Sequence, residues 1–234
     1  PTNVMGCTKR LCEMLIQTFS RGTTMTCVAV RFGNVLGSHG SVIPLFEEQI
    51  KRGGPVTITH PDIVRYFMTI TEAAQLVLQA GGLAKGGSIY VLDMGEPVKI
   101  MDLANRLIRF YGYEPGVNMQ VKITGLRPGE KLYEELLMDA ERDKMGKTAH
   151  NKIFIAPPMQ IDLEKFYTNL QKLKDSAKHN DDEVVDVLQE MVPTYHPNRR
   201  VRADHTVVAA TGNTALFSKE EVTRKLQESE HKEG

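Results

Sequence analysis

The chain has 234 residues, 41% of them hydrophobic and 25% charged, and its 29 basic residues balance 29 acidic ones. This is the composition of a soluble globular protein, and the net charge of zero gives no reason to expect nucleic acid or an anionic membrane as the main partner. No apolar run approaches the ~18 residues of a membrane span, so no membrane contact is expected from this chain. Its cysteines, Cys7, Cys12 and Cys27, form no C-x-x-C pair, and they are interpreted as reduced core thiols of a cytoplasmic protein.

Helix and strand signals alternate from the start of the chain. Thr2 or Asn3 can cap a first helix that ends near Ser20. Its apolar positions recur at helical spacing, at Val4, Leu11, Leu15 and Phe19. The next predicted elements are a buried strand over 26–30, a helix over 42–52, a strand over 56–59, a turn over 60–62 and a helix over 71–80.

The second half continues this alternation. Its predicted elements are strands over 88–93, 121–124 and 152–156 and helices over 98–108, 132–139, 162–178 and 181–191. Strands that alternate with helices predict an α/β fold with a mainly parallel sheet. The packing period is lost from Pro197, so residues 1–196 are predicted to form the domain and residues 197–234 a polar, mobile tail, in which 218–230 can form a lone helix.

The most informative local feature is the glycine-rich stretch over 31–44, which follows the first strand and precedes the second helix. Open α/β sheets bind ligands where a strand enters such a loop. Its glycines allow close backbone approach, and Asn34, Ser38 and Ser41 offer uncharged hydrogen-bonding groups. An ordinary surface loop has a similar composition, so this stretch alone leaves both interpretations open.

Met5 and Lys9 lie four residues apart on the first helix, so they share one face, one turn apart. A core methionine beside a solvated lysine explains the pair equally well when it is considered alone. Its place in the chain adds information, because a strand and then the loop with Asn34 follow it.

Four blocks in this order resemble one branch of the extended short-chain dehydrogenases, the nucleotide-sugar 4,6-dehydratases of polysaccharide biosynthesis. The blocks read PTNVMGxxKR over 1–10, RFGNVLGSHGSVIP over 31–44, GGPxTxTHPDxxRYFMT over 53–69 and GLRPGEK over 125–131. Extended short-chain dehydrogenases generally have a tyrosine base four residues before the lysine, and this branch has methionine there. Because a thioether cannot transfer a proton at neutral pH, Met5 cannot be that base.

The resemblance implies a partial Rossmann-like, doubly wound parallel sheet with a small mixed α/β subdomain that binds the substrate. It implies that a UDP-N-acetylhexosamine, in the first place UDP-N-acetylglucosamine, loses water across C5 and C6 and becomes a 4-keto-6-deoxy sugar nucleotide. The implied cofactor, NAD(P), takes hydride from C4 and returns it to C6. The parent protein would serve capsule, O-antigen or other surface polysaccharide synthesis as a homo-oligomer, in the cytoplasm or anchored at the inner membrane with this part on the cytoplasmic side.

The resemblance also assigns roles to residues. Lys9 binds the nicotinamide ribose and, with Met5, occupies the catalytic position, while Phe32 and Gly33 lie beside the nicotinamide. The implied substrate-binding residues are Asn34, Ser41, Val42, Thr57, Arg65, Arg127 and Glu130. The loop over 31–44 would then separate a nicotinamide on one side from a UDP-sugar on the other.

Two of these residues, Arg65 and Glu130, also have a structural alternative. Arg65 lies among apolar neighbours, where a guanidinium needs an anion, and the resemblance makes that anion the diphosphate. A structural ion pair between Arg65 and a carboxylate is the alternative. Arg127 and Glu130 flank a rigid turn, and the resemblance directs the arginine to phosphate and the glutamate to ribose hydroxyls. The alternative for Glu130 is that it caps the following helix.

The remaining polar clusters are given no role in chemistry. His39, His60 and His150 lack acidic or cysteine companions at metal-ligand spacing, so no metal site is predicted and they are assigned to turns or to the surface. The acid pairs at 47–48 and 134–135 fall on predicted helices and are interpreted as solvated charge.

No Gly-x-x-Gly-x-x-Gly motif follows a first strand, so the main cradle for the dinucleotide is absent from this chain. The chain starts without methionine and is expected to be a piece of a longer protein that is inactive alone and cannot hold NAD tightly. A non-catalytic UDP-sugar-binding fragment is one alternative. A nucleotide-sugar 4-epimerase is another, which Met5 disfavours because such epimerases usually keep the tyrosine.

Overall fold

The computed structural model describes residues 1–38, 40–134, 141, 143–179, 183–197, 200–203 and 206–209. The chain divides into a first unit, Pro1–Pro197, and a second, Asn198–Gly234. Helices of the first unit include α1 (Val4–Phe19), α2 (Val42–Lys51), α3 (Ile70–Gly82), α4 (Ile100–Phe110), α5 (Leu163–His179) and α6 (Val184–Met191). Its strands include β1 (Ala29–Arg31), β2 (Asn34–Val35), β3 (Val56–Ile58), β4 (Val64–Arg65), β5 (Phe67–Met68), β6 (Ile89–Leu92), β7 (Val98–Lys99), β8 (Val121–Ile123), β9 (Gly146–Lys147) and β10 (Ile153–Ile155).

The largest sheet of the first unit has the strand order β1-β6-β10-β9. β1 runs parallel to β6, with Ala29 beside Ile89, and β10 runs antiparallel to both β6 and β9. β6 is buried along its whole length, because its alternate residues pack into cores on opposite faces of the sheet. Burial on both faces explains the continuous apolar run that predicts this strand.

The strand predicted over 26–30 begins later than expected and is less buried. Thr26 is exposed, and β1 is half-buried from Ala29 to Arg31. Among the described residues β1 pairs only with β6, so one of its edges has no neighbouring strand there. An edge strand exposes more surface than its apolar composition suggests.

Three shorter strand pairs carry residues of the predicted site. β2 pairs with β5 and β3 pairs with β8, both in parallel, while β4 pairs with β7 in antiparallel orientation. Helices and strands interleave along the chain, and parallel pairs join β1 to β6, β2 to β5 and β3 to β8. The predicted α/β fold class is therefore confirmed.

Helices α2 and α4 pack on β3 and form the core beneath these short strands. Phe46 and Ile50 of α2 belong to the same buried cluster as Ile100, Ala104 and Ile108 of α4. The spacing of four residues places the α4 members on one helix face, as the periodicity predicts. Since each large side chain buried in this way contributes about 1.5–3 kcal/mol, this core holds α2, β3 and α4 together.

α1 packs on α5 and α6, and the predicted apolar face is confirmed at Leu11 and Leu15 but not at its two ends. Cys7 and Leu11 are buried in this core, whereas Val4 and Phe19 are exposed. Gln17 is buried as well, and its side-chain oxygen accepts a backbone hydrogen bond of 3.0 Å. The apolar spacing thus fails at Val4 and Phe19, while Gln17 can take a core position because its side-chain oxygen has a hydrogen-bond partner.

The three cysteines lie in three different environments. Cys7 is buried, Cys27 is half-buried and Cys12 is exposed, so the interpretation of all three as core thiols is wrong for Cys12. Burial raises the pKa of the Cys7 thiol to about 11, against a smaller lowering by the N-terminal charge. Cys7 is therefore a neutral core thiol at physiological pH.

Several predicted boundaries also shift. α3 is capped by Thr69, whose hydroxyl accepts a backbone hydrogen bond of 3.1 Å, and the helix continues through both of its glycines to Gly82. Residues 98–99, predicted as helix, form β7 because they pair with β4. Residues 132–134 are not helical, and the rest of the helix predicted over 132–139 lies outside the described residues.

In the second unit, β11 (Arg200–Ala203) pairs with β12 (Thr206–Ala209) as an antiparallel hairpin. The sequence pattern predicts no strand there, and the helix predicted over 218–230 lies outside the described residues. Within the described part of the chain, no helix combines the length and the apolar character needed to cross a membrane.

Candidate functional site

The start of α1 is tied to the turn over 127–130 by its capping residue. Asn3 Oδ1 accepts a hydrogen bond of 2.7 Å from the N–H of Gly6, which caps the helix as predicted. The same side chain donates from Nδ2 to the carbonyl of Gly129 at 3.0 Å, and Thr2 Oγ1 donates to that carbonyl at 3.2 Å. The first turn of the helix is thereby fixed against the turn.

Within this turn, several donors hold the carboxylate of Glu130. It accepts hydrogen bonds from the N–H of Arg127 at 3.0 Å, from Arg127 Nε at 3.3 Å and from Thr59 Oγ1 at 3.1 Å. Burial acts to raise the pKa of Glu130, but these bonds and the charge of Arg127 outweigh it and hold the pKa below its ordinary value. Glu130 is therefore ionised at neutral pH, while the paired Arg127 side chain is 79% exposed.

Arg65 connects this turn to the residues that follow it. Its Nη atoms donate to three backbone carbonyls over 2.7 to 3.2 Å, those of Val64, Lys131 and Leu132. Its Nε lies 3.3 Å from Glu134 Oε1, and its Nη2 lies 3.8 Å from Glu130 Oε1. The structure thus places Arg65 in ion pairs with two carboxylates, and its contact with a diphosphate stays a prediction.

Glu134 also contacts the loop over 31–44. Asn34 Nδ2 donates to the two carboxylate oxygens of Glu134 at 3.1 and 3.3 Å and to the carbonyl of Tyr66 at 3.3 Å. The interpretation of residues 134–135 as solvated charge is therefore wrong for Glu134, and Glu135 lies outside the described residues. Glu134 is half-buried, and residues 131–134 are not helical.

These contacts join residues that are distant in the sequence. We call Asn34, Thr59, Arg65, Arg127, Glu130 and Glu134 the Arg65 network. It combines three of the four sequence blocks, those over 31–44, 53–69 and 125–131, and Asn3 links it to the first block through Gly129. Glu134 is the member that the sequence interpretation missed; the only available signal was that Arg65, among apolar neighbours, requires a carboxylate or another anion.

Ser41, Val42 and Thr57 lie around α2 and have different surroundings. Ser41 is the N-cap of α2 but makes no capping hydrogen bond, and its buried Oγ has no partner among the described residues. Val42 packs on the core beneath β3. Thr57 Oγ1 accepts a hydrogen bond of 2.7 Å from Gln49 Nε2, and the Thr57 N–H donates to Gln49 Oε1 at 2.9 Å. Of the three, Ser41 offers an unpaired hydroxyl to a ligand.

The residues predicted to meet the nicotinamide lie on α1 and after β1. Met5 is 65% exposed, and Lys9, one turn further along α1, is exposed with no ion-pair partner in the described part of the chain. Phe32 is exposed, whereas Gly33 is closely packed. A Cβ atom on Gly33 would lie 3.1 Å from the Cβ of Tyr66, so packing already explains the glycine there.

A buried charge cluster, missed in the sequence, holds α1 against β1. Arg31 Nη1 lies 2.7 Å from Glu141 Oε2, and Arg31 Nη2 donates to Glu13 Oε2 at 2.9 Å. Arg10 Nη1 lies 2.9 Å from Glu13 and 3.1 Å from Glu141. Burial acts to lower the pKa of Arg31, but the two carboxylates outweigh it and raise that pKa above its already high value. The cluster sets the position of α1 relative to the loop over 31–44.

The predicted turn positions of His60 and His150 and the solvent exposure of Glu48 are confirmed. His60 and His150 accept backbone hydrogen bonds within turns, as predicted, and His39 lies outside the described residues. Glu48 is exposed and pairs with Arg52 on α2, in agreement with solvated charge. In the parts of the chain that the structure describes, no group of His, Cys, Asp and Glu could hold a metal ion.

The fold and the Arg65 network define an α/β protein whose polar site is assembled from the segments that follow β1, β3 and β8. Comparison with known proteins identifies its family. The polysaccharide biosynthesis protein family matches residues 1–158, and the chain belongs to that family. The family predicted from the four sequence blocks is therefore confirmed.

Two curated relatives and one solved structure are similar to this chain. It is 52% identical over 183 residues to the capsular polysaccharide biosynthesis protein CapD of Staphylococcus aureus, which covers 74% of this chain and 30% of CapD. It is 62% identical over 137 residues to the probable polysaccharide biosynthesis protein EpsC of Bacillus subtilis, 58% of this chain and 23% of EpsC. The X-ray structure of Pen from Bacillus thuringiensis matches with a TM-score of 0.60 and 39% identity over 68% of this chain and 49% of Pen. The chain thus spans less than a third of the length of these two curated relatives.

Proposed function

We propose that this chain forms the sugar-nucleotide side of a nucleotide-sugar 4,6-dehydratase that supplies surface polysaccharide synthesis, with UDP-N-acetylglucosamine as the substrate. The proposal is carried by one observation, the convergence of four separate sequence blocks on the Arg65 network and the start of α1. Such convergence is needed where one ligand must contact several segments at once. The kinship with CapD, a capsular polysaccharide biosynthesis protein, supports the pathway.

The groups of the network suit the parts of a UDP-sugar. Arg127 presents an exposed guanidinium, which suits phosphate oxygens. Glu130 is held ionised and so accepts hydrogen bonds from ribose hydroxyls. Ser41 adds a buried hydroxyl with no protein partner among the described residues, which a ligand oxygen would satisfy. Asn34, which belongs to the loop over 31–44, and Arg65 both contact Glu134, and Arg65 also lies 3.8 Å from Glu130.

The residues present fit the nicotinamide end of a dinucleotide in part. Lys9 is an exposed cation able to bind ribose hydroxyls, and Phe32 offers an exposed aromatic side chain beside the same loop. Nicotinamide, when bound, supplies a reversible hydride acceptor, so that the net reaction is loss of water from the sugar and the oxidation state of the cofactor is unchanged. Met5 lines this side without taking or giving a proton. Proton transfer therefore requires a group other than Met5.

Binding of a UDP-sugar without catalysis is the second candidate. This role is favoured by a contrast between the nucleotide side and the nicotinamide side of the site. The groups assigned to the nucleotide include charged side chains, whereas Met5 on the other side cannot act as an acid or a base. A 4-epimerase is disfavoured for the same reason. Both candidates share the nucleotide site and differ in product formation.

Calorimetry with UDP tests the shared site. Arg127→Ala and Glu130→Ala are expected to abolish binding, because each removes a charged group assigned to the nucleotide. Arg109→Ala is the matched control, since Arg109 forms a comparable exposed ion pair, 3.2 Å from Glu114, outside the network. Binding that survives Arg127→Ala and Glu130→Ala, or that is absent from the unchanged chain, contradicts a nucleotide site here.

Product formation separates the two candidates. UDP-N-acetylglucosamine and NAD+ are incubated with the chain and with the protein that includes the sequence encoded ahead of Pro1, and NMR spectroscopy detects the 4-keto-6-deoxy product. We expect the product from the longer protein and none from the chain alone. Tight UDP binding with no product from either protein would favour the binding role.

A further inference from the structure

A carboxylate of the chain itself occupies the donors that the proposed function assigns to the substrate. Asn34 Nδ2 lies 3.1 and 3.3 Å from the oxygens of Glu134, and Arg65 Nε lies 3.3 Å from Glu134 Oε1. An anion is therefore already bound at the place where a diphosphate would bind. Arg65 is 15% exposed and Glu134 is 29% exposed, so this ion pair is only partly screened by water.

The guanidinium of Arg65 has an edge that is fixed and an edge that can exchange. Its Nη atoms donate to three backbone carbonyls at 2.7 to 3.2 Å. These acceptors are part of the backbone and cannot rotate away as a side chain can. Its Nε contacts the side chain of Glu134. A phosphate oxygen can reach Nε only by replacing that carboxylate, because two anions that share one donor repel each other.

Glu134 is easier to release than Glu130, the other carboxylate near Arg65. Glu130 is 12% exposed and accepts bonds from Thr59 Oγ1 and from both the N–H and the side chain of Arg127. Glu134 is more exposed and has hydrogen bonds only from Asn34, together with its ion pair to Arg65, among its described contacts. The donors of Glu130 keep it in place when Arg65 changes partner.

We propose that Glu134 is an internal substitute for the diphosphate, held by Asn34 and Arg65 until the nucleotide displaces it. This proposal rests on the proposed function, since it names how the same site is kept closed to other anions. Displacement of Glu134 opposes nucleotide binding, so the carboxylate sets the affinity of the site. It follows that removal of the negative charge, with the shape retained, strengthens binding.

The test compares UDP binding to the unchanged chain and to Glu134→Gln by calorimetry. Glutamine keeps the length of the side chain and an oxygen that accepts from Asn34, but it forms no ion pair with Arg65. Glu134→Gln loses the charge-assisted contact to Arg65 and keeps only a neutral hydrogen bond from Asn34. We therefore expect UDP to bind about tenfold more tightly to this variant. Uridine, which has no phosphate, should bind both proteins equally, and Glu114→Gln, outside the network, should leave UDP affinity unchanged.

Carboxyl labelling of the unchanged protein gives a readout that does not depend on a variant. UDP is expected to increase the rate at which a carbodiimide modifies Glu134, whereas uridine should not. If Glu134→Gln binds UDP as tightly as the unchanged chain, or more weakly, the proposed displacement of Glu134 is overturned. The proposed nucleotide site is not contradicted by that result. The proposal that UDP displaces Glu134 is also overturned if UDP slows the labelling of Glu134 or leaves its rate unchanged. This second result is available even if Glu134→Gln fails to fold.

Inorganic pyrophosphate separates this inference from the proposed function. One outcome is that neither protein binds UDP but Glu134→Gln binds pyrophosphate more tightly than the unchanged chain does. In that case the nucleotide site is refuted, and displacement of Glu134 by an anion is supported. If neither protein binds either anion, both proposals are refuted.

Discussion

The contact between Gly129 and the start of α1 allows a sharp prediction. Gly129 has a φ of 76°, and a Cβ atom there would lie 2.9 Å from the Cβ of Asn3 and 3.3 Å from the carbonyl oxygen of Thr2. Gly125, in the same loop, has a φ of 85° and nothing within 4 Å of its Cβ position. The two glycines therefore share the conformational requirement and differ in the space around the Cβ position.

Alanine in the left-handed backbone conformation at either position costs about 1–2 kcal/mol of stability. At Gly129 the contact adds a further ~1–3 kcal/mol, because Asn3 must shift while it caps α1 and donates to the Gly129 carbonyl. We therefore expect Gly129→Ala to lower the free energy of unfolding by about 2–5 kcal/mol and Gly125→Ala by about 1–2 kcal/mol.

Urea unfolding followed by circular dichroism measures both values, since the chain has no tryptophan for fluorescence. Gly129→Ala should also weaken UDP binding more than Gly125→Ala does, because it moves Glu130 and Arg127 relative to α1. Losses that agree within about 0.5 kcal/mol, the usual scatter of surface substitutions, would refute the reasoning that this turn is locked onto the helix.

Further predictions concern the buried charges and thiols. Arg31→Met should lower the free energy of unfolding by about 3–5 kcal/mol, because it leaves buried carboxylates without their main partner. Arg52→Met, on the exposed face of α2, should change it by less than about 1 kcal/mol. Equal losses in urea unfolding would contradict a stabilising role for the charge cluster around Arg31. Folding lowers the pKa of Glu130 from its ordinary value of 4.5. The ionised carboxylate therefore stabilises the fold fully at pH values above 4.5, and this stabilisation is lost as the pH falls through the pKa of the folded state. Glu130→Gln should thus weaken the dependence of stability on pH in acid, and an unchanged dependence contradicts this. With its pKa raised to about 11, buried Cys7 should resist a maleimide at pH values where exposed Cys12 reacts, as mass spectrometry of the native protein can establish.

The parts of the fold that depend on neighbouring residues were predictable from the sequence. Asn3 caps α1 as expected, because the cap is made to a backbone N–H only three residues away. The apolar run of β6 and the helical spacing of α4 follow from the faces that each element buries. Residues 98–99 were misassigned since their pairing with β4, far earlier in the chain, overrides the helical pattern that they continue.

The sequence by itself determined the family, the α/β class and three of the blocks that meet in the Arg65 network, because short blocks and local periodicity encode these features. Only the tertiary structure decided which carboxylate neutralises Arg65 and which ones surround Arg31. Glu134 and Glu141 lie far along the chain from these arginines, and no spacing rule connects them. Such pairs depend on distances of a few ångströms between segments that are far apart in the sequence, and only the folded structure sets those distances.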